Sequence, residues 1–179
     1  MLDGENIIIK KAKNGDAEAF GLLYDYYFEQ IYRFIYLKVS HKEDAEDLAH
    51  QVFLQALKKM KDYEYKGLPF SSWLYKIARN EIVDFYRSKK TNTTLEELEN
   101  VLSSDDDIDI KDKLDLKIQL EKVKEAIKKI KPEYQDIIIM RFIEDLSIKE
   151  VAEILDKTEG SIKLMQHRAI NSLKKILKI

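Results

Sequence analysis

The 179-residue chain contains no cysteine. This absence excludes a disulfide framework, thiolate metal sites and cysteine nucleophiles, and it suits a reducing compartment. Long apolar runs are also missing: none approaches the roughly 18 residues needed to span a bilayer, and the N-terminal residues lack the apolar core of a secretory signal. We therefore expect a cytoplasmic protein with no membrane insertion of its own.

Turn-forming residues are scarce, with five glycines and two prolines. A β protein needs many tight turns, whereas apolar residues spaced three and four apart are typical of packed amphipathic helices. The sequence therefore predicts an all-α fold. Asp16 and Ser40 are expected to cap two of the helices, Ser71 or Ser72 to begin another, and Pro132 to lie in the first turn of a later one.

An acidic segment divides the chain. Residues 91–116 hold nine acidic and two basic residues and only scattered apolar ones. Such a segment cannot bury enough apolar surface to offset the entropy of ordering. We predict two small helical domains, residues 1–91 and 117–179, joined by a flexible acidic linker at residues 92–116.

The net charge of −2 hides two basic segments. Residues 66–90 carry six basic and two acidic residues, and the last nineteen residues carry five basic residues and no acidic one. Attraction to phosphate depends on the local field, which decays over about 10 Å at moderate salt. The overall charge therefore does not argue against nucleic acid as a partner.

The strongest local pattern is a helix-turn-helix in LSIKEVAEILDKTEGSIKLMQHRAI. Ser147 and Glu150 form a capping box, Ala152 is small enough for the contact between the two helices, Asp156 tolerates a left-handed turn, and Ile162 faces inward. The outward-facing residues that can reach a major groove are Ser161, Lys163, Gln166, His167 and Arg168. A hairpin with a merely solvated basic face is the alternative, but the agreement of independent positions favours DNA binding.

Aromatic and basic residues alternate between residues 63 and 90. The rings are Tyr63, Tyr65, Phe70, Trp73, Tyr75 and Tyr86. Stacking rings beside cations are typical of proteins that hold unpaired nucleic acid. The apolar spacing assigns Phe70, Trp73 and Phe85 to the core. The polar face offers Lys76, Arg79, Asn80 and Arg87 to DNA.

Four acidic residues load the start of the helix after Ser40: Glu43, Asp44, Glu46 and Asp47. Compensation of the helix dipole explains such a cluster, at about 0.3–1 kcal/mol per group. Paired carboxylates also serve metal and acid–base sites, but no phosphate loop and no convergent histidines accompany them. We expect neither catalysis nor a bound metal or cofactor.

Four segments taken in order resemble the extracytoplasmic-function (group IV) RNA polymerase sigma factors. They are FGLLYDYYFEQIYRF, EDAEDLAHQVFLQAL, FSSWLYKIARNEIVDFYR, and IKPEYQDIIIMRFIEDLSIKEVAEIL followed by GSIK and HRA. The resemblance covers residues 19–90 and 120–177. It implies a region 2-like helical bundle, a region 4-like helix-turn-helix, and an initiation factor that binds core polymerase, directs it to promoters and melts the −10 element.

The resemblance also implies a site for each partner. The DAEDL helix would bind the clamp coiled coil of the polymerase β′ subunit through Asp44, Glu46, Asp47, Gln51 and Phe53. The WLYKIARN helix and the loop before it would read the −10 element through Lys66, Lys76, Arg79, Asn80 and Arg87. The second domain would dock on the β flap and read the −35 element through Lys149, Ser161, Lys163, His167 and Arg168. An anti-sigma factor is a further expected partner.

Three other functions remain open. A stand-alone regulator would bind duplex DNA without polymerase, an adaptor would use the acidic helix for protein contact alone, and a hydrolase would use the paired carboxylates. The aromatic and basic segment argues against the first, because a duplex reader needs no stacking rings. The basic terminal helix argues against the second, and the lack of an activating partner argues against the third.

Overall fold

The computed structural model describes residues 2–65, 67–92 and 122–178. Within these ranges the chain is helical and has no β-strand, which confirms the predicted all-α class. None of the helices in the described part is long and apolar enough to cross a membrane. Apart from residue 92, the predicted acidic linker lies outside the described residues.

Eight helices and two short irregular turns make up the described chain. The helices are α1 (Glu5–Lys13), α2 (Ala17–Val39), α3 (Lys42–Lys59), α4 (Phe70–Asn92), α5 (residues 122–129), α6 (Pro132–Ile138), α7 (Ile148–Ile154) and α8 (Glu159–Leu177). A 3₁₀ turn, Met60–Asp62, follows α3, and a π-helical segment, Ile139–Ile143, continues α6. Helices α1–α4 form a first unit, and α5–α8 form a second.

Helix α2 is the centre of the first unit. Leu23, Ile31 and Phe34 are fully buried along it, and α2 packs against α1, α3 and α4. Residues at these intervals fall on one side of a helix, which is why the sequence pattern predicts a buried face. On α3, Ala45 and Ala49 are also fully buried, and their small side chains let the two helix backbones approach closely.

Local capping decides where α2 and α3 begin. Asp16 accepts a hydrogen bond from the Ala19 backbone N–H at 3.0 Å and caps α2, as predicted. The prediction for Ser40 is wrong: Ser40 ends α2 in a left-handed conformation, with φ at 62°. His41 takes its place as the cap of α3, and its Nδ1 lies 3.5 Å from the Asp44 backbone nitrogen.

Two further helix starts depend on proline. Helix α4 begins at Phe70, directly after Pro69 and just before the predicted starts at Ser71 and Ser72. Both serines are buried within its first turn, so neither is the cap. Pro132 is the first residue of α6, as predicted, because its fixed φ suits a position where the missing N–H costs nothing.

Helices α7 and α8 form the predicted helix-turn-helix. The capping box is present: Ser147 Oγ accepts from the Glu150 N–H at 3.2 Å, and Glu150 Oε2 accepts from the Ser147 N–H at 2.7 Å. Ala152 and Ile162 are buried where the two helices meet. Asp156 adopts the expected left-handed conformation in the turn, with φ at 51°.

The two units pack directly against each other. Helix α4 lies along α7, and α2 contacts the π-helical segment. The buried apolar residues of both units belong to one continuous cluster. The surfaces of the first unit must therefore be described together with the parts of the second unit that cover them.

Replacement of Asp156 tests the turn. Asp156→Ala should destabilise the chain by about 1–2 kcal/mol relative to Asp156→Gly, because alanine is strained in the left-handed region whereas glycine is not. Both variants lose the ion pair of Asp156 with Lys76, so the difference between them isolates the backbone. Chemical denaturation measures it, and equal stabilities would contradict the left-handed assignment.

Candidate nucleic-acid interface

Helix α8 turns its polar residues away from the core. Ile162 and Ala169 are fully buried on its inner side, and Met165 packs partly against the same cluster. The predicted −35 residues on this helix are all exposed: Ser161, Lys163, His167 and Arg168. Lys149, on α7, is exposed as well. A helix-turn-helix inserts its second helix into the major groove, so the structure presents these side chains on a face that can meet DNA.

Short-range hydrogen bonds orient two of these side chains. Thr158 Oγ1 accepts from the Ser161 backbone N–H at 3.2 Å, and the Thr158 hydroxyl donates to Ser161 Oγ at 3.1 Å. In the middle of α8, His167 Nε2 lies 3.0 Å from Nδ2 of Asn171, which is one turn further along the helix. The serine hydroxyl and the imidazole are thus held in place on the free protein.

Gln166 does not lie where the sequence places it. It is half-buried, and its Oε1 accepts from Arg141 Nε at 3.1 Å. Arg141 also donates to the backbone carbonyl of Leu146. Gln166 therefore joins α8 to the π-helical segment and is not part of the outward face that was predicted for DNA.

A cavity of about 350 Å³ lies where the loop before α4 meets that helix. Tyr63 and Trp73 line it with ring centroids 4.9 Å apart, and Phe70 packs against them at 5.2 and 5.4 Å. Ser72 also lines it, and the buried Ser72 hydroxyl has no hydrogen-bond partner in the described part of the chain. Aromatic rings at the wall of a cavity suit a flat molecule that can stack on them.

Two of the predicted −10 residues contact the second unit. Lys76, which also lines the cavity, pairs with Asp156 in the helix-turn-helix turn, with Nζ and Oδ1 2.6 Å apart. Arg79 Nε lies 3.0 Å from Oδ2 of Asp136 on α6. Glu153 of α7 completes the lining of the cavity. In this arrangement the second unit covers the face of α4 that was predicted to meet DNA.

The remaining −10 candidates lie elsewhere. Asn80 is exposed on α4. Arg87 is exposed as well and forms a surface ion pair with Asp84 at 3.1 Å. Lys66 lies outside the described residues. Among the described residues, the structure therefore does not gather Lys76, Arg79, Asn80 and Arg87 into one site.

Asp136 is a buried carboxylate shared by two cations. Its side chain is 3% exposed, and it accepts from Lys38 of α2 as well as from Arg79 of α4. The Lys38 side chain is itself only 6% exposed. A buried charge is tolerated only when it is paired and hydrogen-bonded, so Asp136 depends on the first unit for its partners.

Glu144 repeats this arrangement at the end of the π-helical segment. Arg33 binds it with two hydrogen bonds, from Nε at 2.7 Å and from Nη2 at 2.8 Å, and Tyr75 donates to Oε2 at 3.0 Å. Burial and the nearby Glu144 carboxylate raise the pKa of Tyr75, so its hydroxyl remains a neutral donor. Tyr75 is fully buried against Phe34, which corrects its inclusion among the rings available for stacking.

Helix α3 exposes part of the acidic cluster. Glu46 and Asp47 are exposed, and Gln51 is half-buried one turn further on. Asp44 pairs with Lys89 at 2.9 Å and so ties α3 to α4. Phe53 does not lie on this exposed surface, because it is 3% exposed and packs edge-on against Tyr24 in the core. Its contact with polymerase stays a prediction.

Two exposed leucines on α3 were missed. Leu54 and Leu57 are 52% and 49% exposed, although the sequence pattern assigns Leu57 to the buried face. Leu54 lies seven residues after Asp47, so both fall on the same side of the helix. The only sequence signal that would have revealed these exposed leucines is an apolar residue that lies outside the buried side of the helix. Exposed acidic and apolar groups together give α3 a composition that is typical of protein interfaces.

The described residues contain no group of three or more histidine, aspartate or glutamate side chains arranged to hold a metal ion. The structure instead offers three kinds of group that suit the binding of macromolecules. They are the cations on α8, the rings beside the cavity and the acidic residues on α3. Two families match the two parts of the chain: Sigma-70 region 2 matches residues 23–91, and Sigma-70 region 4 matches residues 120–173.

Curated relatives extend this match. The chain is 33% identical over 170 residues to the ECF RNA polymerase sigma factor BldN of Streptomyces coelicolor, covering 95% of this chain and 64% of BldN. It is 31% identical over 171 residues to the ECF RNA polymerase sigma factor SigX of Bacillus subtilis, covering 90% of this chain and 85% of SigX. The chain thus spans just under two thirds of BldN and most of SigX.

A solved structure shares the fold. The sigma factor RpoE in complex with the anti-sigma factor NepR, from Bartonella quintana, superposes with a TM-score of 0.70 at 24% identity, over 91% of this chain and 99% of the other. Together with the two family matches and the curated relatives, this confirms the family that the sequence motifs indicate. The chain belongs to the ECF RNA polymerase sigma factors, which are transcription initiation factors and not enzymes.

Proposed function

We propose that this chain binds core RNA polymerase and brings it to specific promoters, with a separate surface for each partner. The −35 element contacts α8, unpaired −10 DNA contacts the cavity and the face of α4, and polymerase contacts α3. The observation that carries the proposal is the face of α8: every predicted −35 residue on it is exposed, while Ile162 and Ala169 on the other side of the helix are buried in the core. As initiation takes place in the cytoplasm of bacteria, the protein acts there.

The −35 assignment follows from charge and position. Lys163 and Arg168 are exposed on α8, and the last nineteen residues hold no acidic group that would repel phosphate. Cations that neutralise phosphates add affinity at every sequence, and an arginine that reaches a guanine edge adds discrimination. Ser161, fixed near the helix start, is placed for a phosphate or a base edge.

Removal of the two cations tests this assignment. Lys163→Ala with Arg168→Ala should weaken binding of the holoenzyme to −35 duplex DNA by about 1–3 kcal/mol per residue and reduce its salt dependence. Binding to core polymerase should not change. The matched control is Lys174→Ala with Lys175→Ala, which removes the same charge further along α8. Equal losses in both pairs, in a competition assay, would contradict a specific role for the first pair.

The polymerase assignment rests on α3. Glu46 and Asp47 offer charge, and Leu54 beside them offers apolar area. An apolar centre with a charged rim is the usual composition of a protein interface. We assign Asp44 a supporting part, because its carboxylate is already engaged by Lys89 of α4.

Run-off transcription with purified core polymerase and genomic fragments tests the function as a whole. The chain should produce promoter-dependent transcripts, and Glu46→Lys with Asp47→Lys should reduce them at least about tenfold by placing like charges against the partner. Glu18→Lys with Asp25→Lys makes the same charge change on the exposed side of α2 and should have little effect. Tight duplex binding without any transcript would favour a stand-alone regulator.

The −10 assignment combines stacking and charge. An unpaired base that enters the cavity meets the rings of Tyr63 and Trp73. Stacking of one base on an aromatic side chain contributes about 1–3 kcal/mol, which is comparable to the cost of unstacking it from the duplex. Lys76 and Arg79 on the same helix are suited to the flanking phosphates.

Lys76 and Arg79 already form ion pairs with the second unit. Asp156 pairs with Lys76 and Asp136 pairs with Arg79, so the second unit holds carboxylates where we place phosphates. We infer that the closed arrangement keeps the free protein from −10 DNA. Polymerase would then activate the factor by holding the two units apart at promoter spacing.

Neutralising the buried carboxylates tests this closure. Asp136→Asn with Glu144→Gln keeps the shape of both side chains but removes the charges and replaces one acceptor oxygen of each by a donor. The free chain should then bind single-stranded −10 DNA about 5–30-fold more tightly. Glu133→Gln with Asp145→Asn removes the same charge from exposed positions of the second unit and serves as the control. Fluorescence anisotropy measures both, and an equal gain would show that only net charge matters.

An anti-sigma factor is the last partner that we propose. The sigma factor RpoE of the matching structure is bound to the anti-sigma factor NepR. On this chain an apolar cleft of about 560 Å³ between the two units, lined by Ile82, Val83 and Tyr86 among others, offers a surface for such a protein. A protein bound there would contact both units and stabilise the closed arrangement.

A further inference from the structure

Helix α1 precedes the Sigma-70 region 2 match, which begins at residue 23, and has no assigned role so far. Two of its side chains nevertheless reach the residues that build the cavity. Lys13 Nζ donates to the backbone carbonyl of Tyr63. Glu5 accepts from the hydroxyl of Tyr27, and the Tyr27 ring packs 5.8 Å from that of Phe70.

We propose that Glu5 and Lys13 are positioning residues for capture of an unpaired −10 base. They hold the wall formed by Tyr63, Phe70 and Trp73 in the position where a base can stack on it. This inference rests on the proposed −10 function of the cavity. It adds that the N-terminal helix, and not only the matched region, determines how well a base is held.

The first contact acts on the loop. Tyr63 follows the 3₁₀ turn, and its N–H bonds to the Met60 carbonyl at 3.2 Å. Its own carbonyl is the acceptor for Lys13, which is half-buried and therefore less screened than a surface lysine. A hydrogen bond from a charged donor is about twice as strong as a neutral one. Lys13 thus fixes the backbone from which the Tyr63 ring projects.

The second contact acts on the rings from behind. Glu5 is 4% exposed, and Tyr27 is 2% exposed. Burial and the hydrogen bond to Glu5 raise the pKa of Tyr27, so the phenol remains a neutral donor. Burial and the charge of Glu5 also raise the pKa of Tyr63 to about 12, so both rings remain uncharged near neutral pH. Tyr27 in turn supports Phe70, which contacts both lining rings.

The position of the wall matters because stacking requires a defined ring position. Tyr63 is 6% exposed and Trp73 is half-buried, so only part of each ring is open to the cavity. A base can stack on them only if the rings keep their place relative to α4. Displacements of about 1 Å in such a site are enough to weaken a directed contact substantially.

The experiment compares variants of Lys13 in the holoenzyme. The probe is promoter DNA with an unpaired −10 segment, either intact or with one abasic position at a time. Lys13→Met should bind the intact probe about tenfold more weakly, equivalent to about 1.4 kcal/mol. Lys13→Arg, which keeps a charged donor, should restore most of the affinity. Lys11→Met, at an exposed position of the same helix, is the matched control and should behave as the unchanged chain.

The abasic probes distinguish positioning from general stability. At the captured position, removal of the base should weaken the unchanged chain strongly and Lys13→Met hardly at all. Tyr27→Phe, which keeps the ring but loses the hydroxyl, should give a smaller loss with the same dependence. In the free chain, the emission of the single tryptophan, Trp73, should shift in Lys13→Met and not in Lys11→Met.

Each contrary result has a distinct meaning. If the unchanged chain is insensitive to every abasic position, the cavity does not capture a base, and the proposed −10 function fails together with this inference. If it is sensitive but Lys13→Met binds as Lys11→Met does, only the positioning role fails. If Lys13→Met is equally weakened on intact and abasic probes, Lys13 supports the fold in general, and the positioning role is again overturned.

Discussion

Two buried carboxylates of the second unit, Asp136 and Glu144, govern the arrangement of this chain. Each is almost without solvent access, and each finds its cationic partners on the first unit. Separating the units would break the ion pairs of these acids and of Lys38 and return the charges to water. It would also expose to water the apolar cluster that spans both units. The closed form therefore depends on hydrophobic contact and on charge together. The exposure of the −10 face depends on the same contacts, since Lys76 and Arg79 lie in this interface.

Local patterns predicted the local structure. The helix-turn-helix follows from residues within a few positions of each other, which is why its capping box, its left-handed Asp156 and its buried Ile162 are confirmed. Ser40 failed as a cap because the choice between Ser40 and His41 depends on how α2 ends, and no short pattern records that. The assignment of Leu57 to the buried face of α3 is wrong because this helix carries more apolar residues than the neighbouring helices can cover.

The sites were less predictable, because they join residues far apart in sequence. Asp136 and Lys38 are 98 positions apart, and no periodicity indicates their pairing. Phe53 and Tyr75 have side chains that serve equally well in a core or at an interface, and only the packing of α2 against α3 and α4 assigned them to the core. The cavity itself needs a loop, the first turns of α4 and the support of α1. The sequence placed Tyr63 and Trp73 in an aromatic and basic segment but assigned Trp73 to the core, and it gave no sign of the contacts from α1 that fix these rings.

The acidic character of the chain is consistent with a nucleic-acid partner once these pairs are considered. A protein with a net charge of −2 would bind DNA poorly if its charges were evenly spread. Here the cations of the first unit face acids of the second, and in the function that we propose, opening exchanges these carboxylate partners for phosphates. The number of ion pairs on α4 need not change in that exchange, so its net electrostatic energy is small compared with either set of pairs alone. The balance then rests with what polymerase gains by binding both units and with the base that enters the cavity. A factor built in this way is poised to open only where its two partners act together.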